Sequence, residues 1–273
     1  MNELIQMFSY PFVVRAVVVG VLVSLCAALL GTSLVLKRYS MIGDGLSHVG
    51  FAALAVAYAA NLAPLLIAIP VCVLSAFLLL RMNENSKIKG DAATALLCSG
   101  ALAVGVMTVS LTTGMNTDVC NYMFGSILAM SKSDVMISIV LSIFVIILFV
   151  LFYPRIFAVT FDENFAKATG TRSDAYNMVL ALLTAVTVVL GMRMMGTLLI
   201  SSLIVFPSLS AMRVCTTFRS VVACSGAISL FCFLIGFSFS YHFNTPTGAS
   251  IVMTNIVVFM MLSMVERIKE GKR

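Results

Sequence analysis

Nine apolar runs occupy most of this 273-residue chain, at about residues 16–36, 42–60, 64–80, 92–113, 135–153, 175–192, 195–212, 220–240 and 248–265. Each is about as long as a membrane crossing requires. The hydrocarbon core of a bilayer is about 30 Å thick and an α-helix rises about 1.5 Å per residue, so roughly 20 apolar residues suffice. Inside that core a backbone can satisfy its own N–H and C=O groups only as a helix or a closed barrel, and runs of this length are helical. The expected fold is an all-α integral membrane protein, a polytopic bundle of about nine transmembrane helices (eight to ten), with residues 1–273 forming a single transmembrane domain. The stretch 175–212 would be about 57 Å long as one helix. It must therefore be interrupted, and the turn-permissive positions lie between Gly191 and Gly196.

Composition excludes a soluble alternative: 61% of residues are hydrophobic and 10% charged, against about 25% charged in ordinary soluble domains. The net charge of +6 does not indicate a nucleic-acid partner, because the basic residues fall in short groups between apolar runs rather than on one patch. They serve better as topology signals. With the N-terminus outside, fourteen basic residues fall on the inner side, and Arg15, Lys132 and Arg193 fall outside. This positive-inside bias predicts a multi-pass protein of the cytoplasmic membrane with its C-terminus inside. The opening MNELIQMFSYPFVVR lacks a basic region ahead of its apolar stretch and reads as mature sequence. Seven cysteines, scattered mostly within apolar runs without a C-x-x-C, read as small buried hydrophobes. Met192, Met194 and Met195 could offer thioethers to copper(I), but gap-filling between helices is the commoner use.

Two inner links are long enough to carry a role. The first, RMNENSKIKGD at 81–91, reads as a solvated connector. The second contains FDENFAKATGTR, with Phe161, Phe165 and Ala168 at i, i+4 and i+7, Asp162 as an N-cap candidate and Gly170 as a stop. This predicts a short amphipathic helix at about 161–172, either resting in the headgroups or docking a soluble partner.

Ionisable groups within spans are costly and therefore functional candidates. The clearest occur in MIGDGLSHVG, where Asp44 and His48 stand four residues apart and share one helical face. If helical structure continues inward from Lys37 and Arg38, Asp44 lies about 10 Å beyond them. A carboxylate and an imidazole form half of a nitrogen/oxygen site for a divalent metal, and two copies would supply four ligands. Alternatively, Asp44 caps a helix beginning at Gly45 and His48 bonds a neighbouring span. A proton relay through the pair would make the chain a secondary transporter or channel. His242 reads as a loop residue and Asp118 as solvated. Pro207 would free a carbonyl in mid-span near Ser201, Ser202, Ser208 and Ser210, which makes Ser201, Ser202 and Pro207 possible pathway residues. No phosphate loop, H-E-x-x-H or G-x-S-x-G is found, so the chain is not expected to be an enzyme.

Three segments resemble the membrane permease subunits of ATP-binding-cassette importers for zinc, manganese or iron: MIGDGLSHVGFAALAVA from Met41, FDENFAKATGTR from Phe161 and MGTLLISSLIVFPSLSAMR from Met195. Weaker echoes occur in YMFGSILAMS from Tyr122 and TPTGASIV from Thr245. The resemblance implies a type II importer fold, a homodimer with a path along its axis, cytoplasmic ATP-binding subunits and an extracytoplasmic metal-binding protein. It further implies that Asp44 and His48 bind metal within the membrane. Phe161, Asp162, Glu163, Phe165, Ala168 and Gly170 would belong to a helix coupled to the ATPase. No permanent cofactor is implied; the divalent metal is cargo, with Zn(II) favoured because a doubled Asp/His pair suits a tetrahedral ion.

Overall fold

The computed structural model describes residues 10–85, 90–112 and 132–270. Among these the chain forms eleven α-helices and no strand: α1 (Pro11–Leu36), α2 (Ile42–Ala59), α3 (Pro64–Asn85), α4 (Gly90–Leu111), α5 (Lys132–Leu151), α6 (Tyr153–Phe161), α7 (Glu163–Ala168), α8 (Ser173–Met195), α9 (Thr197–Val214), α10 (Phe218–Phe243) and α11 (Thr247–Glu270). Eight are long and apolar enough to cross a membrane, and α9 carries a shorter apolar stretch at Leu199–Val214. All nine apolar runs thus become helices. Their ends extend beyond the apolar stretches where polar residues still favour helix: α1 starts at Pro11, a residue suited to the first helical turn, and α11 continues to Glu270. Asp118 and the YMFGSILAMS segment lie outside the described residues.

Of the eight long apolar helices, α1, α2 and α8 are the most enclosed. Val19, Val23, Ala27, Leu30 and Leu34 of α1 are buried in the core with Leu183, Val188 and Leu190 of α8. α4 and α11 lie at the periphery. Because lipid is as apolar as leucine, polar side chains and close packing must bind the helices together. Ser229 of α10 donates to the Ser24 carbonyl of α1 at 2.9 Å, Ser225 donates to the Ala28 carbonyl at 3.3 Å, and Ser208 of α9 meets Ser225 at 3.2 Å.

One end of the bundle gathers most of the inner-side basic residues. Lys37 at the end of α1 pairs with Glu163 of α7, Phe161 of α6 packs edge-on against Phe218 of α10, and Arg213 of α9 pairs with Glu266 of α11 at 2.7 Å. These contacts bring Arg155, Arg172, Arg219 and Arg267, their near neighbours in sequence, to that same end.

The interruption expected between Gly191 and Gly196 falls at Gly196 alone; Gly191 remains inside α8. Gly196 has φ 85° and ψ 165°, a conformation that residues with a Cβ rarely adopt. Pro207 interrupts nothing, since α9 runs through it. Met192 and Met195 are buried core residues. The inner amphipathic segment is two helices rather than one. α7 covers only Glu163–Ala168, and Phe161 ends α6 instead. Replacing Gly196 with alanine should destabilise the protein by about 1–3 kcal/mol through backbone strain. A lowered thermal unfolding midpoint of the purified protein would show it, and an unchanged midpoint would mean that the α8–α9 break does not depend on glycine.

Candidate metal site

Helical structure does not continue unbroken from Lys37. Arg38 turns with φ 61°, and α2 begins at Ile42, so Asp44 lies in the first turn of α2. Asp44 does not begin the helix as a cap; the capping position is Met41, which supplies no side-chain bond. The Asp44 carboxylate instead sits where the helix dipole favours negative charge. His48, one turn on, places Nε2 3.9 Å from Asp44 Oδ1, too far for a hydrogen bond. The Asp44 and His48 side chains are 38% and 19% exposed, so neither is sealed in the core. Ser201 of α9 donates to Asp44 Oδ1 at 3.3 Å. Ser202 is buried and turns its hydroxyl onto the Leu199 carbonyl, and Pro207 is buried, so Ser201 alone of the three pathway residues reaches the pair.

A third donor joins them from α4. The carboxylate of Asp44, the imidazole of His48 and the thiol of Cys98 present ligand atoms that all lie within 4.8 Å of one another. Ligand atoms around a tetrahedral zinc would be about 3.4–3.8 Å apart, given metal–ligand distances near 2.0–2.3 Å. Closure onto an ion therefore needs each group to move by roughly an ångström or less.

What brings Cys98 there is Gly45. A Cβ on Gly45 would meet Thr94 Cγ2 at 2.8 Å, so with any larger residue there Thr94 or α4 would have to shift. Cys98 is one helical turn beyond Thr94 and so shares its face. Sequence reading passed over Cys98 because a cysteine within an apolar run looks like a small hydrophobe; its one signal was a glycine in the neighbouring motif. His242 ends α10 exposed, edge-on to Phe243.

At the basic end, Asp162 caps α7 by accepting from the Phe165 amide at 2.9 Å. Gly170 follows the helix with φ 81°, where the Thr171 amide returns to the Ala166 carbonyl at 2.9 Å. The inward-facing residue of α7 is Ala166, 1% exposed. Phe161 and Phe165 are instead 60% and 66% exposed, and Ala168 is exposed too. The expected apolar face thus points away from the bundle. Burial disfavours ionisation of Glu163, but hydrogen bonds involving Lys167 and Asn177 and the charge of Lys37 outweigh it and hold its carboxyl below its ordinary range. Its pairing is therefore complete at neutral pH and is lost only as pH falls through that lowered value.

A family model described as the ABC 3 transport family matches residues 9–266. The chain belongs to this family. It is a membrane permease subunit and not an enzyme; ATP hydrolysis is the work of a separate subunit. It is 27% identical to the manganese import system permease protein ScaB of Streptococcus gordonii, over 95% of this chain and 94% of that one. It is also 27% identical to the high-affinity zinc uptake system membrane protein ZnuB of Haemophilus influenzae, over 90% and 94% of the two chains. The structure of PsaBC from Streptococcus pneumoniae in complex with Fab matches with a TM-score of 0.86 at 27% identity, covering 96% of this chain and 94% of that one.

The α2–α4 approach can be tested without metal. In a background lacking the other cysteines, His48→Cys should oxidise with Cys98, read as loss of two thiols per chain. Gly45→Val should suppress that bond by forcing α4 away; free thiols in the first variant would show that Cys98 does not reach the pair.

Proposed function

We propose that the chain is the permease subunit of an ATP-driven importer that carries a divalent transition metal across the cytoplasmic membrane, with Asp44, His48 and Cys98 as its metal donors. The carrying observation is the convergence of carboxylate, imidazole and thiol within 4.8 Å on two helices held close by Gly45. Two copies facing each other would enclose these partly exposed donors and line a path between them. Ser201 would orient the Asp44 carboxylate at the mouth of that path. A set of oxygen, nitrogen and sulfur donors favours Zn(II), since thiolates suit zinc and manganese prefers oxygen. Mn(II) is the second reading, favoured by relatives such as ScaB whose names state manganese.

α7 is the coupling helix in this reading. Its exposed Phe165, with Phe161 beside it, offers an apolar surface to a cytoplasmic ATPase subunit, while an extracytoplasmic metal-binding protein delivers cargo at the opposite end. The positive-inside bias places the end carrying Lys37, α7 and Arg213 in the cytoplasm, the N-terminus outside and the C-terminus inside.

Uptake of zinc and manganese at matched membrane expression tests the site. Asp44→Asn and His48→Ala should each lower uptake by about ten- to a hundredfold, the range expected for disturbed metal coordination. Near-normal uptake in Asp44→Asn would remove Asp44 from the ligand set. Cys98→Ser should cost zinc more than manganese, and equal losses would argue against a thiolate ligand. Metal binding should weaken on acidification, because a protonated imidazole cannot ligate. Uptake that proceeds without any ATPase subunit would instead favour secondary transport.

A further inference from the structure

Lys37 is a charged residue in a place where charge is expensive. It caps the end of α1, yet its side chain is only 7% exposed. Its Nζ donates to Glu163 Oε2 at 3.3 Å and to the Asn177 side-chain oxygen. Asn177 belongs to α8 and is also hydrogen-bonded with Glu163. Glu163 in turn receives Lys167 at 3.1 Å, and Lys167 reaches Asp174 of α8 at 2.9 Å. The end of α1, the short helix α7 and the start of α8 therefore meet through one polar cluster.

That cluster contains more than anchoring of α7 requires. Lys167 already ties α7 to α8 from the solvent side, and Ser173 adds a bond to the Glu163 carbonyl at 3.4 Å. A buried ion pair is poor evidence for added stability, because the cost of desolvation offsets its attraction. What Lys37 adds is a connection from α7 to α1. The next step along the chain is short and stiff. Arg38 is held at φ 61°, a conformation that a non-glycine residue keeps only where its surroundings impose it. The Tyr39 amide bonds back to the Leu34 carbonyl at 2.8 Å, and the Ile42 amide bonds to the Tyr39 carbonyl at 3.0 Å. α2 begins there, and Asp44 is in its first turn. A displacement of α7 carried by Lys37 would thus arrive at Asp44 with little slack.

We propose that Lys37 is a positioning residue for transport, a strut through which movement of α7 reaches the metal-bearing first turn of α2. This rests on the docking and metal roles proposed above. Lys37 touches neither cargo nor nucleotide; it links the element that receives the ATPase to the element that holds the ion.

The test uses the complete importer, permease with its ATPase subunits and binding protein, reconstituted in vesicles, with zinc or manganese uptake and ATP hydrolysis measured together. In Lys37→Met, which keeps the buried stem and removes the charge, metal transported per ATP should fall at least tenfold. Hydrolysis should stay within about threefold of the parent, with the ATPase still co-purifying. Lys37→Arg should restore the ratio to within about threefold. Glu163→Gln, which keeps the shape and an acceptor, should lower the same ratio and decides the matter if Lys37→Met does not fold. An unchanged ratio in the folded variants, or uptake and hydrolysis falling in step, would overturn the strut and leave Lys37 an anchor. Failure of the underlying roles looks different: ATP-independent uptake by the parent would sink the docking role, and full uptake by Asp44→Asn would sink the ligand.

Discussion

Hydrocarbon offers no hydrogen-bond partner, and most polar groups among the described residues are placed accordingly. Backbone groups are consumed within the long helices, and most hydroxyls in the spans bond to a carbonyl one turn back or across a helix seam, as Thr184, Thr187 and Ser229 do. Groups that cannot be neutralised this way collect at helix ends. Lys37 sits at the end of α1, Asp44 in the first turn of α2 and Glu163 at the start of α7. The confinement of charge to ends is what makes the few remaining ionisable side chains informative.

Much of the fold was legible because the bilayer imposes one length and one periodicity on every crossing. The nine apolar runs became helices, and the surplus length of 175–212 by itself required a break. Its exact place was less accessible, since Gly191 and Gly196 look alike in sequence and differ only in which one the packing forces to a positive φ. The left-handed turn at Arg38 was also hidden, since nothing in KRYSMIGD signals that an arginine would take it.

The site was half legible for a related reason. Asp44 and His48 are joined by local helical geometry, which sequence spacing encodes directly. Cys98 is joined to them only through the packing of α4 on α2, and that contact depends on an absent side chain at Gly45. The amphipathic pattern in FDENFAKATGTR was legible only in part. Periodicity put Phe161, Phe165 and Ala168 on one helix, whereas Phe161 ends α6 and Phe165 and Ala168 lie on α7, all three exposed, with Ala166 taking the inner position. Periodicity tells which residues travel together, not which partner they meet.

The geometry also bears on what the Asp44–His48 pair can do. A proton relay passes its proton along a hydrogen bond of about 2.6–3.2 Å or through one bridging water. Here Nε2 and Oδ1 are 3.9 Å apart, and the carboxylate instead accepts from Ser201. A cysteine beside the pair adds nothing that such a relay requires. As a thiolate it is a strong ligand for a borderline divalent ion. The three donors, of different chemistry and with ligand atoms within 4.8 Å of one another, are spaced slightly more widely than the shell of a bound ion.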